Sequence, residues 1–208
     1  LNDIPRCMAA EVSDFLPRAT RAGYERFLNT MYHYTRGSEA RLHQAAQAAT
    51  AHDSYLINLA TPDATLSKRS VASFTAELRR CEFLGIPYVV SHPGNYMDDR
   101  DRGLARNAAN YARCLEAVPG QVMVLMETTA GTGTALGSSF EELAELRARI
   151  PEPTRTRVGF CADTCHLYAA GYDLVRRFDE VWAQWDRGIG LAHLRCIHLI
   201  DWKTPFAS

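Results

Sequence analysis

Residues 122–133 read Val-Met-Val-Leu-Met-Glu-Thr-Thr-Ala-Gly-Thr-Gly. The apolar run Val122–Met126 has the length and texture of a short buried β-strand. It ends on an acid, Glu127, and a loop containing Ala130-Gly131-Thr132-Gly133 follows. Ser139–Ile150 then has helical period. The same pairing recurs on both sides. Strands are read at Ile86–Ser91, Val158–Ala162 and Leu194–Leu199, with helices at Leu66–Leu84, Asp101–Ala117 and Leu174–Gly188. Such alternation predicts a parallel sheet covered by helices.

The polar residues that close these strands are His92, Glu127, Asp163 and His198, and they recur at intervals of roughly 35 residues. His52 lies about one unit upstream. That interval matches the βα unit of a TIM (β/α)8 barrel, whose carboxyl-terminal strand ends form the active face. A linear period therefore becomes a ring of converging side chains. A doubly wound open sheet is the alternative, but no glycine-rich nucleotide fingerprint supports it.

The first 48 residues have a different texture. Ala10–Tyr24 can be helical, with Pro17 as an interruption, and Tyr32–Thr50 carries no convincing buried strand. Two segments are expected: a poorly matched 1–48 and a barrel domain over 49–208. About five units are counted where a full barrel needs eight. The chain starts at Leu1 and stops soon after a strand, so a barrel incomplete at both ends is the expectation.

Bulk properties leave this reading open. The chain has 208 residues, 47% of them hydrophobic and 23% charged, which suits one globular domain. No apolar run reaches the roughly 20 residues that cross a bilayer, and no signal pattern opens the chain. Six cysteines without a Cys-x-x-Cys pair suit small buried hydrophobes in a reduced, cytoplasmic setting. The net charge of −1 neither demands nor excludes nucleic acid.

His52, His92, Glu127, Asp163, His166 and His198 converge if the barrel forms. Imidazoles and carboxylates together suit zinc or manganese. A metal pair about 3.5–4 Å apart clamps the attacking and leaving oxygens of a phosphodiester and brings bound water toward a pKa of about 7. No Gly-x-Ser-x-Gly elbow competes. Taken singly, each residue has a plainer role. A strand-end histidine can be a polar cap, Glu127 an arginine partner, and Asp163 a helix N-cap. The recurrence over five units outweighs these readings. His33, His43 and His193 fit no such position and are read as surface or packing residues. Pro93-Gly94 is a turn, and the glycine loop after Glu127 either approaches a phosphate or simply turns the chain. Arg79-Arg80 and Arg176-Arg177 read as solvated helix faces, and Trp182 and Trp185 as packing.

These blocks resemble a known family. His52-Asp53-Ser54-Tyr55-Leu56-Ile57-Asn58-Leu59, Ser91-His92-Pro93-Gly94, Glu127-Thr128-Thr129-Ala130-Gly131-Thr132-Gly133, Asp163-Thr164-Cys165-His166 with Ala169–Asp173, and His198-Leu199-Ile200-Asp201 are similar to ordered motifs of endonuclease IV. That family has a TIM barrel of the xylose isomerase-like superfamily with three zinc ions. It cuts DNA on the 5′ side of an abasic site, leaving a 3′-hydroxyl and a 5′-deoxyribose phosphate. The resemblance implies that His52, His92 and Glu127 hold one zinc. It implies that Glu127, as the catalytic bridge, shares a second zinc with Asp163 and His198, and that His166 serves the third. Tyr55 resembles a residue that helps open the DNA, and an abasic nucleotide is cheap to flip. Double-stranded DNA with abasic sites is the implied partner, for a monomeric protein away from membranes.

The chain departs from that pattern in places. The family's last Asp-x-His pair and final glutamate have no counterpart, so fewer zinc ions and little activity are expected of these 208 residues. Thr128 and Ile200 stand where asparagines are expected, and loss of such an outer partner costs about 10–100-fold. A sugar isomerase or epimerase of the same superfamily, with one or two metal ions, is the competing enzyme. An inactive metal-binding fragment is the competing non-enzyme.

Overall fold

Each apolar strand of the sequence pairs in parallel with the next one along the chain. The computed structural model describes residues 46–200 and 206–207. Its elements are β1 (Thr50–His52), α1 (Ala64–Leu84), β2 (Tyr88–Ser91), α2 (Arg100–Glu116), β3 (Met123–Glu127), α3 (Phe140–Arg149), β4 (Val158–Asp163), α4 (Thr164–Ala169), α5 (Phe178–Gly188) and β5 (Leu194–His198). The strands lie in the order β1-β2-β3-β4-β5, all parallel. Sequential order without a reversal is barrel topology and excludes a doubly wound switch point among the described residues. The expectations for Ala10–Tyr24, Tyr32–Thr50 up to residue 45, His33 and His43 lie outside the described residues.

Local chemistry sets the helix limits. Asp63, Asp99, Ser139 and Asp163 each accept a hydrogen bond from the backbone N–H three residues on, satisfying one free donor of a first turn. α1 stops at Gly85, whose φ of 70° is open to glycine at little cost. One expected boundary is corrected. The last helix starts at Phe178, not Leu174, because the Asp173 carboxylate accepts from the N–H groups of Val175 and Arg176 and turns the chain first.

Alternation along the strands separates two environments. Val89, Val124, Met126, Phe160 and Ala162 face the helices and join the main core with Phe74, Leu78, Tyr111, Phe140 and Trp185. Val90, Leu125 and Cys161 form a second cluster on the other face, with Tyr88, Met123 and Cys196 against it. The register climbs between strands: His52 pairs with Val90 and Val90 with Leu125, while Glu127 pairs with Cys161 and Cys161 with Cys196. Tilted strands of a closing barrel have this shear. It brings His52, His92, Glu127, Asp163 and His198 to one rim.

Polar residues of α2 fasten the rim loops. Arg106 donates to the carbonyls of Ala60 and Tyr96, Asn107 to Pro93 and Asn110 to Leu59. Trp185 packs edge-on against Phe140 and Phe160, and Trp182 packs against Phe178, in line with the packing role expected of both tryptophans.

Gly103 sits where α2 meets Tyr96, and a Cβ there would fall 2.2 Å from the Tyr96 Cβ. Alanine gains about 1 kcal/mol of helix propensity, but overpacking costs about 1–3 kcal/mol. The Gly103→Ala protein is therefore expected to be less stable in urea, despite the better helix former. A rise in midpoint would mean that α2 does not approach Tyr96 this closely.

Candidate metal centre

Glu127 ends β3 and is only 1% exposed. A buried carboxylate is costly unless it is paired and hydrogen-bonded. Three imidazoles meet it. His52 Nε2 and His92 Nε2 both lie 2.8 Å from Oε2, and His198 Nδ1 lies 2.6 Å from Oε1. The two oxygens thus serve different partners: one faces β1 and β2, the other faces β5. The rings are close, with centroids 5.1 Å apart for His52 and His92, and 5.8 Å for His52 and His198.

Backbone carbonyls fix the ring orientations. His52 Nδ1 lies 2.8 Å from the Asp53 carbonyl, and His166 Nδ1 lies 2.8 Å from the Thr128 carbonyl. A neutral ring that donates from Nδ1 presents Nε2 to a metal, whereas the protonated His52 ring donates from Nε2 to Glu127. Asp53 is itself buried and accepts from Ser91 Oγ at 2.7 Å, while the Tyr111 hydroxyl donates to Ser91 Oγ. Asp163 is 2% exposed, and its Oδ1 accepts from His166 N as the N-cap of α4. Its Oδ2 lies 3.9 Å from His198 Nδ1. The cap and the rim position are both realised, one on each oxygen. Thr128 Oγ1 accepts from the Asp163 N–H at 2.9 Å.

Titration follows these contacts. Burial alone would raise the Glu127 carboxyl, but the hydrogen-bonded His198 and His52 rings and the His92 ring beside them outweigh it and hold it well below the usual carboxylate range. Burial opposes the charge on His52, yet Glu127 pushes its pKa up to about 9. Hydrogen bonds to Cys196 and Glu127 raise His198 to about 10, against burial. Burial raises Asp53 to about 7, against the pull of His52 and of the Ser91 hydroxyl.

All six predicted cluster residues therefore come to one rim. His52, Glu127 and His198 offer ligand atoms within 4.8 Å of one another, and so do His92, Glu127 and His166. Asp163 stands at the edge of the cluster through its 3.9 Å approach to His198. Tyr55 follows β1 and is 85% exposed beside exposed Leu56. Asp53, Asn58, Arg106 and Asn107 were not singled out from the sequence. Asn58 clamps the rim through Ala60 N, Asn95 N and the Asn95 carbonyl. Asp53 was visible inside the quoted His-Asp-Ser-Tyr block, but its burial was not. Gly94, with φ 91°, leaves no room for a Cβ, which would meet Asn58 Oδ1 at 2.4 Å. The loop after Glu127 turns the chain and is tied down. Thr129 N–H donates to the Gly137 carbonyl, Leu136 N–H to Gly94, Tyr96 N–H to Thr134, and Gly137 N–H to Glu142.

The donor set fits a transition-metal ion such as zinc, which takes nitrogen and oxygen ligands. One observation on this rim supports the fit. His92 Nε2 is buried and lies 2.8 Å from Glu127 Oε2, yet the angle there does not make a hydrogen bond. Two lone-pair atoms aimed at shared space are what a bound cation satisfies.

Parallel βα units carrying imidazoles and carboxylates at the carboxyl ends of their strands define a TIM-barrel protein with a candidate metal centre. A family model described as xylose isomerase-like TIM barrel matches residues 18–208. The sequence is 49% identical over 161 residues to the probable endonuclease 4 of Chloroflexus aurantiacus, covering 76% of this chain and 56% of that protein. It is 43% identical over 183 residues to the probable endonuclease 4 of Geobacter sulfurreducens, covering 84% of this chain and 61% of that protein. Endonuclease IV from Thermus thermophilus superposes with a TM-score of 0.66 at 34% identity, over 82% of this chain and 62% of that one. A D-tagatose 3-epimerase-like protein superposes with a TM-score of 0.58 at 18% identity, over 86% of this chain and 72% of that one, a likeness of fold alone. The chain belongs to the xylose isomerase-like TIM barrel family, and within it to the endonuclease IV group. It spans little more than half the length of the first of these curated relatives, 56%. Among the described residues, no helix is long and apolar enough to cross a membrane.

The shifts of His52 to about 9 and His198 to about 10 are upward from 6.5. The stability they add to the metal-stripped fold is full below pH 6.5 and is lost as pH rises through about 9 to 10. The Glu127 shift is downward from 4.5, so its share is present above that pH and is lost only in stronger acid. Urea unfolding of metal-stripped wild type and Glu127→Gln should thus differ more at about pH 6 than at about pH 10. An equal difference at both would mean that the imidazoles do not pair with Glu127.

Proposed function

We propose that these residues form the core of a zinc-dependent endonuclease that hydrolyses the phosphodiester on the 5′ side of abasic sites in double-stranded DNA. The observation that carries the reading is the division of the Glu127 carboxylate, with His52 and His92 on one oxygen and His198 on the other. His52, His92 and Glu127 would hold one ion. Glu127, Asp163 and His198 would hold a second, and His166 would contribute to a third. Bound there, zinc supplies a Lewis acid for the phosphoryl oxygens and lowers the pKa of water toward about 7.

The chain's own groups do the positioning. Glu127 is held ionised by its imidazole partners, so it stands ready as a two-sided anionic ligand. The Asp53 and Thr128 carbonyls keep Nδ1 of His52 and His166 occupied, which turns each Nε2 toward the rim. Asp163 keeps one carboxylate oxygen on the α4 N-terminus and leaves the other for the site. Tyr55 stands exposed on the surface three residues after His52, and an aromatic ring there would occupy space opened at an abasic nucleotide. Relatives 39–49% identical that are named as endonuclease 4 favour this reading over sugar isomerisation.

The test is incision of a duplex with a single abasic site by the natural gene product in zinc. A cut 5′ to the lesion, leaving a 3′-hydroxyl, is expected. Glu127→Gln should lower kcat by more than about 100-fold, beyond the cost of losing an outer partner. Tyr55→Ala should instead raise KM for the lesion duplex. Failure to incise, or normal incision by Glu127→Gln, would overturn the reading.

A further inference from the structure

Directly beneath the rim, on the same face of the sheet, β4 and β5 place Cys161 opposite Cys196, registered partners on neighbouring parallel strands. The two thiols lie within 4.8 Å of each other. His198 follows Cys196 by two residues along β5 and so stands on the same face. The two sulfurs and one His198 nitrogen all lie within 4.8 Å of one another. Cys161 is buried and Cys196 half-buried, so the pair lies inside the molecule. Cys81 and Cys114 are buried in the main core on the helix-facing side and take no part.

We propose that Cys161, Cys196 and His198 form a second cation site, for a thiophilic ion of the zinc, cadmium or copper(I) class, that competes with the rim for His198. Two sulfurs and an imidazole make a softer donor set than the imidazoles and carboxylates of the rim, and thiolate ligands select such ions. Binding displaces one proton from each thiol and the proton that His198 shares with Glu127, and forms two sulfur–metal bonds and one nitrogen–metal bond. His198 Nδ1 lies 2.6 Å from Glu127 Oε1, so the same ring faces both sites. A neutral imidazole has one lone-pair nitrogen and serves one ion at a time. A thiophilic ion held below therefore withdraws His198 from Glu127. The competition rests on the proposed use of His198 at the rim, whereas the thiol site itself does not.

Cadmium is the probe, because thiolate-to-cadmium charge transfer absorbs in the ultraviolet and needs no DNA. Metal-stripped full-length chain titrated with Cd2+ should develop this band. Cys196→Ser and Cys161→Ser should each weaken it at least about twofold, and Cys165→Ser should leave it unchanged. His198→Asn should weaken cadmium affinity by at least about tenfold while the band persists at saturation. Circular dichroism checks that each variant folds. Should Cys161→Ser unfold, the half-buried Cys196→Ser carries the test. No band from folded wild type, or a full band in Cys196→Ser, would overturn the thiol site. Bound Cd2+ should also lower zinc affinity at the rim at least about tenfold in wild type and not in Cys196→Ser. Equal zinc affinity with and without Cd2+ would overturn the competition. A chain that gives the band but never incises DNA would refute the nuclease reading alone.

Discussion

The structure depends on one buried negative charge. Glu127 lies at the end of the middle strand, removed from water, and an unpaired carboxylate there would cost several kcal/mol or would simply protonate. Three imidazoles from three other strand ends prevent both outcomes. Their pairing holds Glu127 ionised and raises His52 and His198 in return. The same convergence that stabilises the metal-stripped fold is the geometry a bridging carboxylate needs. Fold and proposed chemistry thus draw on one set of contacts.

Two features of the backbone make that convergence possible. Strand alternation sends Val89, Val124 and Met126 outward to the helices, which leaves the opposite face for Leu125, Glu127 and Cys161. The climbing register then brings residues from strands of different length to a common height. Above the strands, α2 contributes more than an apolar face. Arg106, Asn107 and Asn110 hold carbonyls of the loops after β1 and β2, so the rim loops are fastened by a helix that reads as an ordinary amphipathic cover. The Thr128 hydroxyl ties β3 to β4 at the Asp163 N–H. Beneath the rim, the Cys161–Cys196 pair offers softer donors to the same histidine.

Much of this was legible because the signals were periodic. Apolar runs gave β2 to β5, and helical period gave α1 to α3, to within two residues at either end. The rim set of His52, His92, Glu127, Asp163, His166 and His198 came from the recurrence of polar strand ends. What stayed hidden depends on contacts between distant segments. Asp53 is buried only because Ser91 and Tyr111, on β2 and α2, supply its partners. Asn58 acts through Asn95, and nothing local announces that pairing. Cys161 and Cys196 read as separate small hydrophobes until the register set them side by side. The start of α5 escapes a reading by period because Asp173 offers the backbone a turn that competes with the helix.

In the proposed nuclease, Glu127 is shared between ions at this rim. Anomalous X-ray diffraction at the zinc absorption edge, on crystals of the protein grown with zinc, tests it most directly. Anomalous peaks are expected on both sides of the Glu127 carboxylate, one beside His52 and His92 and the other beside His198 and Asp163. Zinc located away from Glu127, or a carboxylate that touches only imidazoles in zinc-saturated crystals, would contradict it.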